Sequence, residues 1–119
     1  MNELQEKIFN VIASMLSDKA FASSVKHSAI RYGFLNYVAK FSLARDEYYA
    51  SPAAYALLHD NGLLRCNRLR RGSKSRRNQF TYEHVSPANV VGRELLKYQN
   101  DAPKWRDIQI YADHVAILT

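Results

Sequence analysis

Seven of the thirteen residues in the stretch RCNRLRRGSKSRR, positions 65 to 77, are basic and none is acidic. Arg65, Arg68, Arg70, Arg71, Arg76 and Arg77 carry planar guanidinium forks that bind phosphate oxygens in pairs, and Lys74 adds a point charge. Ser73, Ser75 and the backbone amides around Gly72 supply neutral donors to the same oxygens. The whole chain has 17 Lys and Arg against 11 Asp and Glu, a net charge of +6. Without those seven the balance is 10 against 11, or −1, so one segment carries the entire excess. Like charges gathered this way repel one another and call for a negative partner or full solvation. Here their confinement to one segment favours an anionic partner, and nucleic acid is the partner expected.

Other side chains with chemical potential are scattered. Cys66 is the single cysteine, which excludes an internal disulfide and a zinc site of paired cysteines, and leaves either a half-buried strand residue or a thiol made reactive by neighbouring arginines. His27, His59 and His114 stand in separate elements without metal-ligand spacing. Tyr48 and Tyr49 have no acid or base cluster nearby to make a nucleophile of either; the eight tyrosines are expected to serve as amphipathic core and rim residues.

The elements that position these groups are legible from periodicity. At 119 residues, 47% hydrophobic and 24% charged, the chain is expected to form one domain over residues 1 to 119. The spacing of Leu4, Ile8, Phe9, Ile12, Met15 and Leu16 predicts an amphipathic helix from Asn2 to about Ser17. Two helices follow over 21 to 49, with Gly33 as the candidate break. A short helix over 52 to 60 has Ser51 to cap it, Pro52 in the first position and Asn61-Gly62 as a left-handed stop.

LLRCNRLR and NQFTYEHV flank RGSKSR and predict a β-hairpin over about 63 to 85 with a long basic loop. Strand alternation puts Arg65 and Arg68 on opposite faces, so the projecting tip, Arg70 to Arg77, is the expected anion contact. A second Ser-Pro, Ser86 and Pro87, opens a helix containing Val90, Val91, Leu95 and Leu96, and the remainder from 102 onward is expected to be helical, although IQIYA and HVAILT have strand composition. The expected fold is α+β and mostly helical, with one hairpin.

The N-terminus mixes acids with apolar residues and has neither a basic leader region nor a small-residue cleavage site. No apolar run reaches the roughly 20 residues of a membrane span. A cytoplasmic location without membrane contact is the expectation.

The segment LARDEYYASPAAYALLHDNGLL, followed by the hairpin, resembles the winged-helix DNA-binding domains over residues 43 to 85. The resemblance implies that the 52 to 60 helix enters the major groove and that the hairpin acts as a wing on phosphates or the minor groove. That helix would present Tyr55, Ala56, His59 and Asp60, which are poor base readers, so sequence-specific recognition is not implied. The alternative for it is a plain core helix.

Separately, EHVSP at 83 to 87 is similar to the first motif of HNH endonucleases. That resemblance implies a divalent metal ion, His84 as general base, Glu83 and His114 as metal ligands and Asn100 as the residue positioning the histidine. The alternative for His84, which shares a strand face with Phe80 and Tyr82, is a packed core histidine.

Three functions follow. The leading expectation is a small nucleic-acid-binding protein without catalysis, its phosphate contacts made by the basic hairpin. The alternatives are an HNH-like metal-dependent nuclease, or a phage or mobile-element factor using the hairpin on an acidic protein partner.

Overall fold

The first helix, α1 (Glu3–Ser17), starts on a reciprocal cap. Asn2 Oδ1 accepts from the Gln5 amide at 2.8 Å, and Gln5 Oε1 accepts from the Asn2 amide at 3.1 Å, which satisfies two otherwise orphaned donors. In the computed structural model the described residues are 1–46, 49–60, 62, 81–84, 87–112 and 115–118. Within them the remaining elements are α2 (Phe21–Ser24), α3 (Ser28–Leu43), β1 (Tyr49–Ala50), α4 (Pro52–Asp60), β2 (Thr81–His84), α5 (Ala88–Lys97), α6 (Ala102–Ala112) and β3 (Val115–Leu118). The domain is mostly helical with a small β component, as composition and periodicity predict.

Helices α1, α3, α5 and α6 enclose one apolar core. Ile12 and Leu16 from α1 meet Phe34, Val38 and Phe41 from α3, Val91 and Leu95 from α5, and Trp105 from α6. Phe21 of α2 lies edge-to-face on Phe34, with ring centroids 5.1 Å apart. Two buried glutamines tie this core to the backbone of α3: Gln5 Nε2 donates to Phe41 O at 3.2 Å, and Gln109 Nε2 to Val38 O at 3.3 Å. At one end of the body, Asn2 Nδ2 donates to Ala44 O at 2.6 Å. At the other, Gln99 Nε2 donates to Leu16 O and Asp18 O, fixing the α5–α6 turn to the end of α1.

Two expectations are corrected. The chain does not break at Gly33; α3 runs through it, and the interruption falls at 25–27 instead. Gly33 is exposed with open space around it, while Phe34, Val38 and Phe41 just beyond are buried, so core packing outweighs the roughly 1 kcal/mol that a helical glycine loses. The C-terminal stretch is helical only to Ala112; residues 115–118 form β3.

The apolar run VAIL becomes the middle strand of a three-stranded sheet ordered β1-β3-β2. It pairs parallel with β1 (Tyr49 opposite Ala116, Ala50 opposite Ile117) and antiparallel with β2 (Thr81 opposite Leu118, His84 opposite Val115). The run is apolar without alternation, and a short continuous apolar run cannot be told from a helical segment by periodicity alone, which is why its composition competed with the helical period. The partner of β2 among the described residues is therefore β3. The other arm of the expected hairpin, residues 63 to 80, lies outside the described residues, as do Val85 and Ser86.

Candidate nucleic-acid interface

The cap and stop expected for α4 are both present. Ser51 Oγ accepts from the Ala54 amide at 3.1 Å, and Ser51 O accepts from the Tyr55 amide at 2.8 Å. Beyond the helix, Gly62 has φ +68°, a left-handed conformation open to glycine, and its amide donates to His59 O at 3.1 Å. Helix α4 packs on β1 and β3. Ala54 and Leu58, one turn apart, are buried, which turns Tyr55, Ala56, His59 and Asp60 outward. The outward set matches the expectation from sequence. Tyr55 is 55% exposed, and the His59 ring lies 3.4 Å from the Asp60 carboxylate, both open to solvent.

The seven cations Arg65, Arg68, Arg70, Arg71, Lys74, Arg76 and Arg77, with Ser73, Ser75 and Cys66, lie outside the described residues. The framework on either side of them is described. The chain enters this segment from the Gly62 stop of α4 and leaves it into β2, and both α4 and β2 contact β3.

Two exposed tyrosines that the sequence did not single out as binding residues belong to this end of the molecule. Tyr49, 66% exposed, sits in β1 opposite Ala116, and Tyr111, 75% exposed, stands near the end of α6, just before β3. The adjoining Ile110 carbonyl accepts from Arg45 Nη2 at 2.8 Å, which fixes the end of α6 to the segment following α3. Exposed phenol rings suit base stacking. The pair Tyr48-Tyr49 was the available sequence signal, but only strand pairing distinguishes a surface ring on β1 from a core ring.

The residues assigned through the nuclease resemblance fall in separate elements, with Asn100 outside the strand of Glu83 and His84. Glu83 and His84 are in β2, in backbone register with Ala116 and Val115. Asn100 is exposed in the turn before α6, and the 11 residues of α6, about 16 Å of helix, separate that turn from the strand paired with His84. His114 lies outside the described residues. Among the described residues there is no group of three or more His, Cys, Asp or Glu that could hold a metal ion. None of the described helices is long and apolar enough to cross a membrane.

The resolved electrostatic perturbation lies in the helical body. Arg106 Nη1 donates to Glu6 Oε1 at 2.8 Å and Nη2 to Oε2 at 3.3 Å, while the guanidinium lies over the Phe9 ring, 4.9 Å from its centroid. The hydrogen-bonded guanidinium holds the Glu6 carboxyl below its ordinary value of 4.5, and the same bonds raise Arg106. This pair joins α1 to α6 and contributes no net positive charge. The chain matches no protein-family model, and comparison with curated proteins and with solved structures finds no similar protein.

Proposed function

We propose that the protein is a non-catalytic nucleic-acid-binding module that works in the cytoplasm and grips phosphates through residues 65 to 77. The observation that carries this reading is the confinement of the charge: seven cations stand between α4 and β2 of a chain whose other residues sum to −1. The framework supports it, because a segment tethered at both ends to the neighbourhood of one short sheet loses less freedom on binding than a free tail would. In this reading the chain is winged-helix-like, α4 lies toward the nucleic acid, and Tyr55 and His59 contribute contacts beside the phosphate grip.

Binding is tested by titration with duplex DNA, single-stranded DNA and RNA over a range of salt, with wild type and a variant in which Arg70, Arg71, Arg76 and Arg77 are all alanine. If about five charges engage duplex phosphates, the log-log salt slope is roughly −4 to −5, and removing four flattens it by roughly 3 to 4. Affinity at low salt falls with it. A wild-type slope near zero, or a variant that binds as well as wild type, ends the phosphate reading.

A further inference from the structure

Helices α3 and α5 enclose a half-open groove of about 340 Å³. Its floor is apolar, formed by Phe34, Leu35 and Leu96, and Arg31 and Arg93 line it from the two helices. The helices approach closely at Gly92: a Cβ there would lie 2.6 Å from Leu35 Cδ2 and 3.2 Å from Phe34 Cε1. The missing side chain leaves room at the crossing.

The charge in this groove is unbalanced. No acidic residue lines it, and among the described residues neither Arg31 nor Arg93 takes part in an ion pair. Both guanidiniums are exposed. Two uncompensated cations above an apolar floor are complementary to an apolar group flanked by carboxylates. A phosphate backbone would use the cations and leave the floor unfilled. The volume stands at the lower end of the roughly 300–1,000 Å³ usual for ligand sites, suited to a large side chain rather than an extended molecule. Around it the first turns of α3, residues 28–33, are exposed throughout and include Ile30 and the 80% exposed Tyr32, so the surface continues past the groove itself.

We propose that the α3–α5 groove docks an acidic peptide segment of a partner protein, with one apolar side chain on Phe34, Leu35 and Leu96 and adjacent carboxylates on Arg31 and Arg93. None of the residues named in the groove belongs to the stretch 65 to 77, and the proposal stands or falls without the phosphate reading. A protein with both would join an acidic partner to a nucleic acid through two separate sets of arginines.

The test uses the full chain with Arg70, Arg71, Arg76 and Arg77 changed to alanine, so that the basic segment does not capture the probe. The probe is a fluorescein-labelled 12-residue peptide of Glu and Leu at helical spacing, with a Gln-for-Glu counterpart, followed by polarisation and by amide chemical shifts. Saturable binding that shifts the Leu35, Gly92 and Leu96 amides is expected. Affinity should fall about tenfold for the Gln peptide and at least as much for Arg31→Glu with Arg93→Glu, while Arg31→Gln with Arg93→Gln gives an intermediate loss. Both positions are exposed, so retained shift dispersion elsewhere verifies the fold of each variant. The proposal is overturned by the absence of saturable shifts at those three amides, by equal affinity of the charge-reversed variant, or by duplex DNA moving these amides where the peptide does not.

Discussion

The helical body and the sheet end of this molecule are built on different terms. The body is held by side chains: aromatic and aliphatic residues of four helices interlock, and buried glutamines fasten α1 and α6 to α3. The sheet end is held by backbone pairing to one strand, β3, which is bordered by β1 on one side and β2 on the other. Its short helix α4 buries only Ala54 and Leu58. Local stability follows buried apolar area and backbone protection, so the sheet end should open while the body stays closed, but not the reverse. The segment with the charge is joined in sequence to the sheet end, between α4 and β2.

The largest effect that can separate them is in the body. Phe34→Ala removes a ring that is 1% exposed and meets both Phe21 and the core, and it should lower unfolding free energy by about 3–5 kcal/mol in a urea titration. On a domain of ordinary stability that is a large share, so the sheet should be lost with the helices. Persistence of the sheet after loss of the body would break the comparison.

A smaller effect is expected at the sheet. The backbone of Ile117 stands opposite Ala50 on one side and Tyr82 on the other. Ile117→Pro removes the amide from a central strand, a loss of about 1–3 kcal/mol confined to this region. Hydrogen exchange should then accelerate at 49–50 and 81–84 while α1 and α3 keep their protection. Uniform acceleration through all the helices would show that the two regions open as one.

The smallest effect concerns the exposed α1–α6 ion pair. Glu6 titrates below its ordinary value of 4.5 in the folded chain, so its contribution is present above that value and is lost as pH falls through the lower folded one. Arg106→Ala should therefore lower the melting temperature slightly at neutral pH and not at all in acid, where the two curves converge. Added salt should shrink the difference at neutral pH, because both side chains are open to solvent. A difference that grows in acid would contradict the assignment.

The parts of this fold legible in the sequence are those written in local signals. The α4 boundaries were carried by Ser51, Pro52 and Gly62, and the core faces of α1 and α5 by their periodicity. What escaped was non-local. A two-residue strand at Tyr49–Ala50 has no periodicity of its own, and β3 acquires its identity from partners distant in the chain. The same holds for the sites. Seven cations in thirteen residues announce themselves, whereas Arg31 and Arg93 share a groove only because α3 and α5 cross at Gly92.

The placement of β3 also has a kinetic consequence. Its pairing of Ala116 with Tyr49 closes a long loop of chain, and contacts of that sequence separation form late because loop entropy must be overcome first. Helices α1 and α3, whose contacts are nearer in sequence, can assemble before it. The sheet is thus a late product of folding, and refolding followed at the sheet should trail refolding followed at the helices.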